Sequence, residues 1–192
     1  MNLPNKITLA RLILIPFFML VFYLQFTGHY IASAVIFAVA ALTDFLDGHL
    51  ARKLNLVTDL GKFLDPIADK VLVLVALIVM LSVDSTAFFG QYGIFVGGIG
   101  ISIIIARELA VSSLRMLAAK NGTVLAADKL GKIKTFLTDI AIIVLMFSAD
   151  LIGTGAYTVI SISGQVLFIL AVLITVVSGI SYLVKNKEAF KE

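Results

Sequence analysis

A chain of 192 residues that is 60% hydrophobic and only 14% charged cannot cover a water-soluble globule with polar surface, because soluble domains carry about a quarter charged residues. The absence of Cys excludes a disulfide framework and any thiolate-held zinc or iron–sulfur centre. The formal charge of +3 is small, so its placement matters more than its size, and no nucleic-acid partner is expected.

About 20 apolar residues cross a bilayer as a helix. Six stretches qualify, at 8–26, 30–50, 64–81, 92–119, 130–148 and 157–184. Period-two alternation is absent and the runs are far longer than barrel strands, which leaves helices as the spanning solution. The expected fold is all-α integral membrane, with six transmembrane helices in one membrane-embedded domain over residues 1–192.

The first stretch follows Met1-Asn2-Leu3-Pro4-Asn5-Lys6 and carries Arg11. No small-residue cleavage site closes a short apolar core, so it reads as a membrane helix and not a cleavable signal. The second stretch ends on Asp44 and Asp47, followed by Gly48, His49, Ala51 and Arg52. The third begins on Asp65 and Asp69, preceded by Asp59 and Gly61. Spacings of three and four put each Asp pair on one helix face. The short connection at 50–61 makes the two helices antiparallel neighbours, so the four carboxylates gather at one depth. Pro66 either opens the third helix or is tolerated within it. The fourth stretch holds Gly97, Gly98 and Gly100, expected to allow close helix packing, and then Arg107 and Arg115. Those two Arg are eight apart and expected on similar faces. The fifth opens on Gly131-Lys132-Ile133-Lys134-Thr135 and carries Asp139, expected to pair with Lys132 or with an Arg of the fourth stretch. His29 is expected to be solvated in an outer loop, and His49 to be a helix-end residue without a catalytic role.

Lys and Arg lie on one side only. Lys6, Arg11, Arg52, Lys53, Lys62, Lys70, Lys120, Lys129, Lys132, Lys134, Lys185, Lys187 and Lys191 share it, while the opposite connections at 25–29, 82–91 and 149–156 contain Asp84 and Asp150 and no Lys or Arg. The positive-inside rule then places both termini and the Asp cluster on the cytoplasmic face.

Four negative charges in a half-buried pocket would force protons onto one another unless cations intervene. An all-oxygen donor set suits a hard ion such as Mg²⁺ or Mn²⁺, and the lack of a His among the four argues against zinc. The plain alternative is that these are interfacial Asp, solvated or paired with Arg52, Lys62 and Lys70. Gly48 and Gly61 leave room for a ligand against the backbone, and Arg52 suits a bidentate phosphate contact. An Arg inside a membrane segment is costly and functional by default. Arg107, Arg115, Lys132 and Lys134 together suit a second, phosphorylated substrate. Snorkelling cations that only enforce topology explain Lys120 and Lys129 better than they explain Arg107.

The residues Asp44, Asp47, Gly48, Ala51, Arg52, Gly61, Asp65 and Asp69 form D-x2-D-G-x2-A-R-x8-G-x3-D-x3-D, which resembles the signature of the CDP-alcohol phosphatidyltransferases. The resemblance covers essentially the whole chain. It implies an enzyme of the cytoplasmic membrane that moves a phosphatidyl group from CDP-diacylglycerol to an alcohol, releasing CMP. It further implies that Asp44, Asp47, Asp65 and Asp69 hold two metal ions, Mg²⁺ or Mn²⁺, on the CDP diphosphate. Gly48, Ala51, Arg52 and Gly61 would surround the nucleotide, Asp69 would be the general base, and the enzyme would be a homodimer among membrane lipids. Asn5-x2-Thr8-x2-Arg11 resembles the family's N-terminus, where an interfacial helix leads into the first span. Thr8 and Arg11 would reach the diphosphate, or Arg11 would instead snorkel to lipid headgroups. The strings A-R-E-L-x4-L-R and G-K-x-K-T resemble the branch that uses glycerol 3-phosphate, although that branch's Gln four residues after Lys134 is Thr138 here. Inositol phosphate or phosphatidylglycerol as acceptor is the nearest alternative. A small divalent-cation transporter is the alternative from another class, but it wants polar residues at mid-membrane along several helices.

Overall fold

The computed structural model describes residues 3–53, 59–83, 85–120 and 129–186, with the side chains of 3–5, 44–53, 59–66, 69, 85–86, 119–120 and 129 outside that description. The chain forms α1 (Leu3–Tyr23), α2 (His29–Lys53), α3 (Asp59–Ser82), α4 (Ser85–Phe89), α5 (Gly93–Lys120), α6 (Lys129–Ala149) and α7 (Tyr157–Lys185). No strand occurs among the described residues. Six of the helices are long, at 21 to 29 residues, and stand where the six apolar stretches were expected. At about 1.5 Å per residue, 21 residues reach about 30 Å, the thickness of a hydrocarbon core.

By length and composition, three described segments can cross a membrane: Lys6–Tyr23, Gly93–Ala118 and Tyr157–Lys185. The described apolar parts of α2 and α3, His29–Thr43 and Lys70–Ser82, are shorter. These helices are charged at the ends that face the 54–58 connection, and α6 carries Lys132, Lys134 and Asp139 in its first half. The outward surface is what lipid solvates. Phe17 and Leu20 on α1, Ile94, Phe95 and Ile99 on α5, and Val159, Leu173 and Ile180 on α7 are all at least half exposed. The protein is a membrane protein on these grounds.

The long helices alternate in direction, so one end of the bundle collects the start of α1, α3 and α6 and the close of α2, α5 and α7. The other end is aromatic. Phe18, Phe22, Phe37 and Phe88 are fully or almost fully enclosed there. The Phe22 ring centroid lies 6.0 Å from those of Phe18 and Phe88 and 5.1 Å from that of Tyr30. Phe88 comes from α4, inside the 82–91 segment that was expected to be a plain outer connection. Ala87, Phe88 and Phe89 need burial, and a single helical turn supplies it without leaving backbone groups unpaired.

Small residues set the helix contacts. A methyl group built at Gly97 would stand 2.6 Å from Phe89 Cδ2, one at Gly100 would stand 2.7 Å from Phe168 Cε1, and one at Gly164 would stand 2.8 Å from Leu145 Cδ2. Gly98 faces open space, so only two of the three expected packing glycines on α5 serve that purpose. Asp150, after α6, caps α2 by accepting the Ile31 N–H at 2.7 Å, which satisfies one of the orphan donors of that helix. His29, expected to be solvated, is half-buried: its Nδ1 lies 2.9 Å from the Phe22 carbonyl oxygen, and its ring centroid lies 3.8 Å from that of Tyr30. Pro16 and Pro66 both lie within helices, and α1 runs unbroken from Leu3, without a separate interfacial helix before it.

Candidate active site

The polar end of the bundle carries the residues expected to do the chemistry. Asp44 and Asp47 occupy the closing turns of α2, and Asp65 and Asp69 the opening turns of α3. Those two helices pack against each other and α1 packs against both. The side chains of Asp44, Asp47, Gly48, Ala51, Arg52, Gly61, Asp65 and Asp69 lie outside the described residues. Among the described residues no group of three or more His, Asp or Glu side chains could hold a metal ion. The four Asp offer all-oxygen donors of the kind that suits a hard divalent ion.

Thr8 and Arg11 sit three apart on the inward face of α1, 1% and 0% exposed. A snorkelling Arg keeps its guanidinium at the headgroups. Arg11 is wholly enclosed by protein, so the headgroup reading of this residue is overturned. A guanidinium withdrawn from solvent requires partners within the protein, and Arg11 has them.

The described heart of the site joins α3, α5, α6 and α7. Glu108 on α5 receives two cations on one oxygen: Arg107 Nη1 stands 3.0 Å from its Oε1, and Lys134 Nζ on α6 hydrogen-bonds to the same atom. Lys134 is 5% exposed. Lys70, the residue after Asp69, donates from α3 to the Ser112 hydroxyl of α5, and that hydroxyl donates to the Glu108 carbonyl at 2.6 Å. Thr138 donates to the Lys134 carbonyl at 2.9 Å. A narrow cleft between α3, α5 and α6 is lined by Lys70, Glu108, Lys134, Thr135 and Thr138, with Val73, Leu74 and Ile104 behind them. A roomier hollow at the opposite end, between Phe89, Tyr92, Gln165 and Phe168, is mostly apolar and has no charged side chain in its wall. Its wall offers no charged group to hold a phosphate or a metal ion.

Two glycines make the path for Arg107. A methyl at Gly179 of α7 would lie 3.0 Å from Arg107 Cγ, and one at Gly131 of α6 would lie 3.5 Å from its Nη2. The Arg107 Nε is buried with no hydrogen-bond partner among the described residues.

The four cations expected to act together are sorted by the fold. Arg107 and Lys134 meet at Glu108. Lys132 is exposed, because two residues along a helix turn about 200° and carry it to the opposite face from Lys134. Eight residues beyond Arg107 the helix has turned about 80° past two full turns, so Arg115 emerges at the edge of α5 and not beside Arg107. There its Nε donates to the Tyr182 hydroxyl at 3.1 Å, and its guanidinium carbon lies 5.4 Å from that ring's centroid. Asp139 is half-buried on α6 while Lys132 is exposed. Glu108, Ser112, Tyr182 and Gly179 were not identified in advance. Glu108 had a sequence signal, since a lone carboxylate inside an apolar segment is costly and needs a cationic neighbour. Gly179 and Tyr182 had none.

The chain belongs to the CDP-alcohol phosphatidyltransferase family, whose model matches residues 1–184. It is similar to the CDP-diacylglycerol–glycerol-3-phosphate 3-phosphatidyltransferase of Bacillus subtilis (strain 168), with 42% identity covering 99% of this chain and 97% of the relative. It is also similar to proteins of the same name from Escherichia coli (strain K12), at 38% identity over 95% of this chain and 93% of the relative, and from Rickettsia felis, at 36% over 98% and 97%.

Proposed function

We propose that this enzyme transfers the phosphatidyl group of CDP-diacylglycerol to the 1-hydroxyl of glycerol 3-phosphate, giving phosphatidylglycerol phosphate and CMP. The observation that carries the acceptor is the buried Arg107–Glu108–Lys134 cluster: two cations against one carboxylate leave an excess positive charge in a cleft beside the Asp-bearing end of α3. A phosphorylated alcohol suits that excess, whereas serine or glycerol would leave it uncompensated. The names of the relatives point to the same acceptor.

In this reading Asp44, Asp47, Asp65 and Asp69 hold two Mg²⁺ or Mn²⁺ ions. Bound there, such ions supply charge neutralisation for the diphosphate and for the CMP leaving group. Thr8, Gly48, Ala51, Arg52 and Gly61 border the nucleotide. Arg107 and Lys134 take the acceptor phosphate, with Arg115 at the rim and Lys132 outside the cleft. Asp69 accepts the proton of the acceptor hydroxyl. The oxygen so released forms a bond to the phosphorus that carries diacylglycerol, and the bond from that phosphorus to the CMP oxygen breaks. Six helices span the membrane, both termini and the site face the cytoplasm, and the enzyme works as a homodimer. A cytoplasmic site suits a water-soluble acceptor and CMP, while the lipid donor arrives from the side.

The test is CMP release from CDP-diacylglycerol by the purified enzyme against a panel of acceptors. Glycerol 3-phosphate is expected to exceed glycerol, serine, inositol phosphate and phosphatidylglycerol by a wide margin. Equal use of glycerol would sink the acceptor assignment, and absence of CMP release with every acceptor would sink the transferase reading.

A further inference from the structure

We propose that Glu108 is a positioning residue for the acceptor: its carboxylate fixes Arg107 and Lys134 side by side, so that both can meet one phosphate. The inference rests on the acceptor reading above and goes beyond it, since it assigns a role to an anion in a site meant for an anion.

The geometry supplies the reasons. Adjacent residues on a helix diverge by about 100° and do not normally face each other. Arg107 nevertheless reaches the side chain of its own neighbour, with Nη1 at 3.0 Å from Glu108 Oε1. It does so by lying across the bare backbones at Gly131 and Gly179, where methyl groups would stand 3.5 and 3.0 Å away. Lys134 arrives at the same oxygen from a different helix. Both cationic nitrogens thus bond a single atom, so they lie no more than about two hydrogen-bond lengths apart. Without the carboxylate, two buried cations at that separation repel each other in a medium of low dielectric. The side chains would splay, and the paired donors would be lost.

Through Lys134, Glu108 also ties α5 to α6, as one contact among those that hold the helices together. The aromatic end of the bundle and the small-residue contacts at Gly97, Gly100 and Gly164 do that elsewhere. Its backbone carbonyl is engaged by Ser112, which also receives Lys70 from α3. The same residue therefore stands at the meeting of α3, α5 and α6 and lines the cleft with its side chain.

The experiment is steady-state CMP release by the full-length enzyme in mixed micelles, with glycerol 3-phosphate and CDP-diacylglycerol varied in turn. Glu108→Gln is expected to raise KM for glycerol 3-phosphate at least about tenfold and to leave KM for CDP-diacylglycerol within about twofold. Glu108→Asp, which keeps the charge, is expected to recover part of the loss. If Glu108→Gln does not fold, Arg107→Met/Lys134→Met is compared with Arg107→Met/Glu108→Gln/Lys134→Met, where neither cation is left for the carboxylate to hold. The triple variant is then expected to match the double variant within about threefold. An unchanged KM for glycerol 3-phosphate in Glu108→Gln overturns the inference, as does an equal rise for both substrates. A further tenfold loss in the triple variant also overturns it, because Glu108 would then act on the acceptor directly. These failures are distinct from failure of the acceptor reading, which would appear in the wild type as equal use of glycerol and glycerol 3-phosphate.

Discussion

Gly179→Ala offers a sharp test of the site because the clash it creates has one target. The added methyl would stand 3.0 Å from Arg107 Cγ and 4.0 Å from its Cβ, with nothing else among the described residues within 4 Å. Ordinary carbon–carbon contact begins at about 3.4 Å, so Arg107 must give by a few tenths of an ångström. Overpacking of this kind costs about 1–3 kcal/mol, partly offset by about 0.5–1 kcal/mol from removing a helical glycine. The net effect on stability is about 0–2.5 kcal/mol, and the fold should survive. The functional effect should be larger. Arg107 Nη1 is 3.0 Å from Glu108, and a shift of that size takes it toward the limit of a hydrogen bond. Misplacing a substrate-positioning group by about 1 Å can cost on the order of a hundredfold, and a smaller shift costs correspondingly less. We therefore expect kcat/KM for glycerol 3-phosphate to fall about tenfold, read by CMP release, with KM for CDP-diacylglycerol unchanged. Gly131→Ala, whose methyl would meet Arg107 Nη2 at an ordinary 3.5 Å, should change the same quantity less than about threefold. Gly98→Ala, which meets nothing within 4 Å, serves as the control. Wild-type kinetics in Gly179→Ala would refute the reasoning, and so would a defect confined to the CDP-diacylglycerol step.

Lys134→Ala should lower kcat/KM for glycerol 3-phosphate by about tenfold to over a hundredfold, since a hydrogen bond to a charged group is worth about 1.5–3 kcal/mol. Lys132→Ala, on the exposed face of α6, should change it by less than about threefold; equal losses in the two variants would remove the distinction between them. Asp44→Asn, Asp47→Asn and Asp65→Asn should each abolish turnover in folded protein, and Asp69→Asn should lose turnover more completely than donor binding. Excess EDTA should silence the wild type and Mg²⁺ or Mn²⁺ restore it, and full activity in the chelator would exclude the metal reading. Cysteines at Thr154 and Gly155, exposed in the connection after α6, should label from outside intact cells. Labelling only after permeabilisation would invert the proposed orientation. Asp150 is unsuited to that purpose because its side chain caps α2.

The helices were legible because their signal is local. A run of apolar residues long enough to satisfy its own backbone in lipid has one solution, and each run expected from the sequence lies within a few residues of a long helix. The missed element, α4, is too short for a periodic signal and exists because Ala87, Phe88 and Phe89 fill the aromatic end of the bundle. The Asp motif was equally legible, because spacings of three and four along one helix are a property of the chain alone. Which cations join the site was not. Lys132 and Lys134 are chemically alike and two residues apart, and only the rotation of α6 against α5 turns one toward Glu108 and the other away. Arg107 and Arg115 part company for a similar reason, one sinking between Gly131 and Gly179 and the other leaning on Tyr182.

Composition, periodicity and the D-x2-D to D-x3-D spacing thus determined by themselves that this is a helical membrane protein with two Asp in the closing turns of one helix and two in the opening turns of the next, and the motif pointed to its family. The tertiary structure decided that Arg11 is enclosed and not a headgroup anchor, that Glu108 gathers Arg107 and Lys134, and that Gly179, 72 positions from Arg107 in the chain, keeps the space that Arg107 occupies. The physical reason is range. Helical spacing follows from backbone hydrogen bonds between near neighbours, whereas pairing between helices depends on how each is rotated and seated against the others, and that depends on the whole packed bundle at once.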